Sequence, residues 1–293
     1  MKPLGDFVDA FRAHLAAAAA LPVWELATLL TLPLLLLHAG EEWYFKVLLV
    51  LLCVPALLLP GLRSRSTLWL AVSVVLLFGY FNRWYSMDNH KFLTGYWALG
   101  LYCAALSKDP AAGIRVQARW LIGLCFLFAT VWKLITPDYL DARHFEVALL
   151  SDSRFEGVAA TAGGMSRQDL RANRESVTRL ASWNGTEEKV TLRKNDRVRR
   201  IAVLLTWWTL AIEGGIAVAF LVPAGWAPAR LRHPALLVFL FTTYAIAHVV
   251  GYGWLLAIMG VVLTPDDRPR TRVLYFAAMA CLYLFMIPDA FRA

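Results

Sequence analysis

Eight long apolar runs dominate the sequence and restrict the folds that it can adopt. They cover residues 21–38, 43–60, 67–82, 90–106, 117–136, 201–223, 235–263 and 272–288. A helix that crosses the hydrocarbon core of a bilayer needs about 20 apolar residues, and most of these runs are close to that length. Because backbone polar groups in lipid must bond within their own segment, such runs are expected to be helical. The sequence therefore predicts an all-α, polytopic membrane protein with about eight transmembrane helices.

Composition supports lipid as the solvent of this chain. Hydrophobic residues make up 59% of the 293 positions and charged residues 17%, against roughly 45–50% and about 25% in soluble domains. The mean hydropathy of +0.55 excludes an ordinary soluble domain and a disordered chain. The net charge of +8 would suggest nucleic acid in a soluble protein. Here Lys and Arg lie beside the apolar runs, so we expect membrane lipid as a partner and no nucleic acid.

The order of apolar and charged segments predicts four regions. Residues 1–20 form an amphipathic amino-terminal segment, 21–136 hold membrane helices one to five, 137–200 form a charged insert, and 201–293 hold helices six to eight. Short segments on the amino-terminal side carry more Lys and Arg than those on the other side. This bias predicts a plasma (inner) membrane protein with a cytoplasmic amino terminus and an extracytoplasmic insert.

Two local patterns refine this organisation. Gly251 and Gly253 fall in the long seventh run, where they predict a bend or a break. Ser166 followed by Asp169 has the spacing of a capping box and predicts the start of a helix inside the insert.

Several ionisable or amide side chains interrupt the apolar runs or lie at their ends. They are Glu25, His38, Asn89, His90, Lys133, Glu213 and His248. Such groups are costly in lipid and usually face a cavity. With eight spans, His38, the Asn89-His90 step and Lys133 all fall on the side of the insert. The span count therefore predicts one polar pocket open to that face.

Two interpretations of each group stay open at this point. Lys133 is either a catalytic amine whose neutral form acts as a general base, or a lysine that extends from a helix end to the interface. The Asn89-His90 step either takes part in the same chemistry or caps a helix. Glu213 lies deep, so it must be protonated or paired, and a partner such as His248 or an arginine would make it structural.

The order of several short motifs resembles the HTTM domain, the membrane domain of vitamin K-dependent gamma-carboxylase and its bacterial relatives. The motifs are the Asn89-His90 step in 85–93, the segment 117–123 leading to Lys133 in 129–134, then 139–142, Glu213 ahead of Pro223, and His248 within 239–252. The resemblance extends over roughly residues 15–288. The insert stands where the carboxylase has a large lumenal portion.

The resemblance implies a helical membrane fold with an extracytoplasmic site. It implies that Lys133 is a base towards a reduced quinone similar to vitamin K hydroquinone, and that Asn89 and His90 take part in the same chemistry. Candidate contacts to the quinone are His38, Arg83, Glu213 and His248. No metal ion is expected.

Three functions stay open. The first is a hydroquinone-dependent enzyme that uses oxygen and acts on a peptide or protein substrate. The second is a non-catalytic accessory membrane protein that binds a lipid or peptide, or aids peptide maturation or export. The third is a transporter in which Glu213 and His248 couple to protons.

Overall fold

The computed structural model describes residues 2–40, 42–181, 190–247 and 249–284, and all regular structure within these ranges is helical. The α-helices are α1 Lys2–Ala19, α2 Val23–His38, α3 Trp43–Leu58, α4 Pro60–Arg63, α5 Ser66–Asn82, α6 Asn89–Ala105, α7 Pro110–Ile135, α8 Pro137–Leu140, α9 Arg143–Ser151, α10 Glu156–Thr161, α11 Arg167–Ala181, α12 Asp196–Leu221, α13 Arg232–Tyr244, α14 Val250–Leu263 and α15 Pro269–Leu284. The all-α class predicted from the sequence is confirmed for the described residues.

The chain divides into two compact units. Unit 1 contains residues 1–125, 216–244 and 249–293, and unit 2 contains 126–215 and 245–248. Two long helices, α7 and α12, contribute residues to both units. The predicted insert lies within unit 2.

The number of spans is smaller than the apolar runs predicted. Among the described residues, α7 and α12, each with 26 residues, are long and apolar enough to cross a membrane. The segment Asp9–Ala19 and α2 form a pair bent by 112°, which is a third span if the pair counts as one. Helices α3, α5 and α14 are apolar but shorter, so the prediction of eight spans is not supported.

Proline explains one of the short helices. Helix α3 has 16 residues, which gives a length of about 24 Å at 1.5 Å per residue, below the hydrocarbon thickness of about 30 Å. Its cap, Leu59, is extended at φ −117° and ψ 95°. Because Pro60 follows, the helical conformation is disfavoured at this residue. Helix α3 therefore ends at Leu58, two residues before the end of the apolar run 43–60.

The long seventh run is also broken, though not at its glycines. Helix α13 ends at Tyr244 and α14 begins at Val250, with a turn between them. Gly251 and Gly253 lie inside the first turn of α14. The break therefore precedes the glycines, whose lack of a side chain serves the packing of α14 instead.

Large apolar side chains are exposed along several helices. Phe128 on α7 is 66% exposed, Leu204 on α12 69% and Leu51 on α3 64%. Exposed apolar side chains on several helices are what a lipid-facing surface requires. These faces and the candidate spans are compatible with a membrane location.

Unit 2 has its own apolar core. It is formed by Ala142, Leu149, Leu150, Phe155, Ala159, Met165, Leu170, Val198 and Ala202. The predicted capping of α11 is present, because the Asp169 amide donates to Ser166 Oγ at 3.0 Å. The buried carboxylate of Glu146 accepts from Lys194 at 2.9 Å and from Arg199 at 3.1 Å. The insert thus folds around a core rather than extending as a loop.

One arginine of unit 1 joins distant parts of the chain. Arg272 on α15 is 2% exposed. Its Nη1 donates to the carbonyl of Ala19 at 2.8 Å and to that of Leu21 at 3.2 Å. Its Nη2 donates to the Asp266 carboxylate. The last turn of α1 is therefore held by a side chain from the final described helix.

Candidate functional site

Unit 1 contains a polar cavity of about 140 Å³, here called the histidine pocket. Its polar lining comes from His38, Tyr80, His90, Lys91, Thr94 and Tyr252. These residues lie on α2, α5, α6 and α14. The structure thus brings together two of the predicted site residues, His38 and His90, although α3, α4 and α5 lie between them in the sequence.

His38 is fixed by aromatic residues and by a close helix approach. Its Nε2 is 2.8 Å from Tyr283 Oη, in a hydrogen bond whose direction depends on the tautomer. The rings of Tyr283 and Trp254 lie 5.9 and 6.1 Å from the imidazole, centroid to centroid. A Cβ on Gly251 would be 2.9 Å from His38 Cβ. Glycine at 251 is therefore what lets α14 pass beside His38.

His90 faces a second aromatic group of the same pocket. Its ring lies 5.5 Å from the Tyr252 ring, and its Nε2 is 3.9 Å from Asp88 Oδ2. The Tyr252 hydroxyl lies 3.2 Å from Cys125 Sγ. The cavity therefore has aromatic walls and imidazole nitrogens, which can each donate or accept a hydrogen bond according to tautomer.

Lys133 lies in unit 2, where its ammonium forms an ion pair with Glu213. The side chains of the two residues are only 18% and 10% exposed. Lys133 Nζ also lies 5.4 Å from the centre of the Tyr139 ring. Glu213 was predicted to be protonated or paired, with His248 or an arginine named as possible partners, and its partner in the structure is Lys133. A buried carboxylate and a buried ammonium each need a partner of opposite charge, and here each supplies the other.

Two aromatic residues beyond the end of α7 complete this group, which we call the lysine cluster (Lys133, Glu213, Tyr139 and His144). The Tyr139 and His144 rings stack with centroids 5.1 Å apart. Burial raises the pKa of the Tyr139 hydroxyl, the charge of Glu213 raises it further, and a hydrogen bond with Thr209 opposes both. Burial, and then the charge of Lys133, lower the pKa of His144. Both residues are therefore neutral at physiological pH.

The remaining predicted residues have other positions. Arg83 forms an ion pair with Glu42 at 2.8 Å, and it is not among the residues that line the histidine pocket. Asn89 begins α6, but its side chain lies outside the described part of the structure. His248 lies outside the described residues altogether. Within the described ranges, no group of three His, Cys, Asp or Glu side chains is arranged to hold a metal ion.

Several residues of both groups were missed by the sequence analysis. Tyr139 stood in a quoted motif, six positions after Lys133, but its ring could not be placed near the amine without the turn at 136–137. Lys91 and Tyr252 also stood in quoted motifs, and their place in the pocket depends on how α6 and α14 pack. Tyr283 carried no signal beyond being a tyrosine in an apolar run.

Comparison with known proteins gives no relative for this chain. No protein-family model matches the sequence, and no curated protein and no solved structure match it significantly. The likeness to the HTTM domain therefore stays a prediction, which rests on the motif order alone.

Proposed function

We propose that this chain is an integral membrane protein that binds the ring of a reduced quinone in the histidine pocket. The observation that carries the proposal is the cavity of about 140 Å³ between His38, His90 and Tyr252. An apolar cavity of about 150 Å³ holds one benzene ring. The volume therefore favours a single six-membered ring with hydroxyl groups.

The chemistry of the lining suits such a ring. Hydroquinone hydroxyls both donate and accept, and a neutral imidazole offers one donor and one acceptor. Lys91 at the same cavity supplies a positive charge that favours the quinol anion. The flat face of Tyr252 offers an offset-stacking surface. Because imidazole exchanges protons near neutral pH, His38 or His90 can take the phenolic proton.

Lys133 as a base towards the quinol is a separate part of the proposal, supported by the motif resemblance. Its ammonium is paired with Glu213, so the amine becomes a base only after its proton has moved, for example to that carboxylate. In the same way, a transporter that uses Glu213 for proton coupling must first separate it from Lys133. The ion pair therefore opposes both roles, whereas quinol binding in the histidine pocket does not require the pair to separate.

We further propose that the membrane is also crossed by α2, α3, α5, α6, α15 and the run that holds α13 and α14, which with α7 and α12 gives eight crossings. Exposed apolar faces support this, since α5 exposes Val74 and Phe78 at 58% and 66%. A bilayer thins around short spans at a modest free-energy cost. Single cysteines introduced at 111 and 160 should label from opposite sides of the membrane across α7, and those introduced at 64 and 87 should do so across α5. Labelling of either pair from one side would contradict the corresponding crossing.

Equilibrium binding tests the quinol proposal. Purified protein in neutral detergent is incubated under argon with a single-ring or a two-ring reduced quinone, and the quinol that co-elutes in gel filtration is quantified. We expect stoichiometric retention of the single-ring quinol, which His90→Leu abolishes by removing both ring nitrogens. His14→Leu, a change at an exposed histidine of α1, is the matched control and should bind normally.

Admitting oxygen then separates an enzyme from a binding protein. Consumption of the bound quinol with formation of an epoxide supports the enzyme. Retention of an unchanged quinol supports an accessory protein that only binds it. If neither quinol is retained by folded protein, the proposal fails.

A further inference from the structure

Two arginines of unit 1 converge on the carboxyl-terminal end of α12. Arg119 Nε donates to the carbonyl of Phe220 at 3.0 Å. Arg232 donates to the carbonyls of Ala219 at 2.8 Å and Val222 at 2.7 Å. These carbonyls have no partner within the helix, and the negative end of the helix dipole favours cations there. Burial, and then the charge of Arg119, lower the pKa of Arg232.

Further arginines extend this positive region. His233 follows Arg232 on α13, and its Nδ1 is 3.1 Å from Tyr275 Oη in a hydrogen bond. Burial, and then the charges of Arg268 and Arg232, lower the pKa of His233 to about 4. Arg230 and Arg270 lie two positions from Arg232 and Arg268, respectively, and are exposed. We call Arg119, Arg230, Arg232, Arg268 and Arg270 the arginine cluster.

Carboxylates do not neutralise the arginine cluster. Asp266 is bound by Arg115 at 3.0 Å and by Arg272, so its charge is already matched. Asp267 is the other acidic residue of this loop and is exposed. Among the residues that the structure describes, no Asp or Glu forms an ion pair with any member of the arginine cluster. Within the described residues, the charges of these five arginines are therefore not matched by ion pairs with carboxylates.

The surroundings of the arginine cluster are those of a membrane interface. Arg119 lies on α7 and caps α12, the two helices that are long and apolar enough to cross a bilayer. Trp226 is 61% exposed, and Leu231 is 58% exposed. The Arg119 guanidinium lies 5.4 Å from the centre of the exposed Trp120 ring. Exposed tryptophan beside arginine is typical of the headgroup level of a membrane.

We propose that the arginine cluster binds the phosphodiester of an anionic phospholipid headgroup. Guanidinium groups bind phosphate oxygens through two parallel hydrogen bonds. Exposed aromatic and apolar side chains beside the arginines would contact the glycerol and acyl chains, which a free phosphate lacks. The site uses none of the residues of the histidine pocket, so it does not depend on the proposed binding of a quinol.

A binding titration tests this site. Folded protein in neutral detergent is titrated with fluorescent phosphatidylglycerol in mixed micelles, with phosphatidylcholine as the neutral lipid. One arginine near an anionic surface contributes about fivefold in affinity. We therefore expect Arg230→Gln/Arg268→Gln to bind phosphatidylglycerol about 25-fold more weakly. Both side chains are exposed, so folding measured by circular dichroism should be unchanged.

The control removes the same charge elsewhere. Arg167 and Arg171 are exposed on α11 in unit 2, and Arg167→Gln/Arg171→Gln should bind within twofold of the native protein. An equal loss in this control would overturn the proposal, since only net charge would then matter. Equal binding of phosphatidylcholine would also overturn it. If inorganic phosphate displaces phosphatidylglycerol from the protein at matched ionic strength, the ligand of the site is a free anion and the lipid proposal is overturned. If the first double variant misfolds, Arg270→Gln, with an expected fivefold loss, takes its place.

Discussion

The histidine pocket of unit 1 and the lysine cluster of unit 2 both consist of polar side chains among apolar ones, but these side chains have different kinds of partner. In the first, imidazoles and hydroxyls border a cavity of about 140 Å³. In the second, a full positive charge and a full negative charge meet each other directly. Polar groups that border a cavity, including the Lys91 ammonium, can keep water as a hydrogen-bond partner, whereas an ammonium and a carboxylate buried against each other must match their charges. The difference indicates binding for the pocket and structural support for the ion pair.

Removing one charge of the pair should have the largest effect. Lys133→Ala leaves Glu213 buried without a counter-charge, so the free energy of unfolding should fall by about 3–5 kcal/mol. Thermal unfolding in detergent measures this, with exposed Lys108→Ala as the control. Lys133→Ala/Glu213→Gln should recover most of the loss. A Lys133→Ala variant as stable as the native protein would show that water already solvates the carboxylate.

Filling the pocket should have a smaller effect on stability and a complete effect on binding. The new methyl group of Gly251→Ala would be 2.9 Å from His38 Cβ, and overpacking of this kind costs about 1–3 kcal/mol. We expect quinol retention to disappear. Gly61→Ala, where the methyl group meets open space, should change neither. If folded Gly251→Ala binds the quinol normally, the quinol does not bind in this cavity.

Exchanging the cation of the pair should change stability less. Lys133→Arg keeps the positive charge opposite Glu213, so the free energy of unfolding should change by about 1 kcal/mol. Arginine stays protonated because its pKa exceeds about 12. Any turnover that needs Lys133 as a base should therefore vanish while the fold persists. Full turnover by this variant would remove the base role and leave the pair as support alone.

The smallest effect concerns acid. The pKa of His144 is lowered by burial and by the charge of Lys133, so the unfolded chain binds its proton more readily than the folded chain does. Stability from this residue is present above the ordinary histidine pKa of about 6.5, and it is lost as pH falls below that value. His144→Gln should flatten this part of a stability profile from pH 7.5 to 5. If the dependence of stability on pH is the same in His144→Gln, other residues cause the sensitivity to acid.

Apolar periodicity and run length carried the fold prediction, because helices in lipid follow directly from unbroken apolar sequence. They did not fix where helices end. Helix α3 ends ahead of Pro60, two residues before its apolar run does, and the break ahead of α14 falls where the sequence is still apolar. Span number depends on these ends, so counting runs gave more spans than the helices support.

For the candidate site, the sequence indicated which polar residues are unusual but not which of them contact one another. Lys133 and Glu213 were both conspicuous in the sequence, since charges in apolar runs are rare. They are 80 positions apart, and no local pattern reports which distant helix face meets another. His38 and His90 line the same cavity because α2, α6 and α14 pack together, which no local sequence pattern predicts either.

The bonds of Arg272 also bear on the order in which the chain is made. The carbonyl of Ala19 leaves the ribosome long before its partner, which lies 253 positions later. Until α15 is synthesised, the corner between α1 and α2 must satisfy its carbonyls with water or with a transient partner. Closure of this corner is thus a late event of biogenesis. A quality-control system that senses the open corner would distinguish nascent from finished protein.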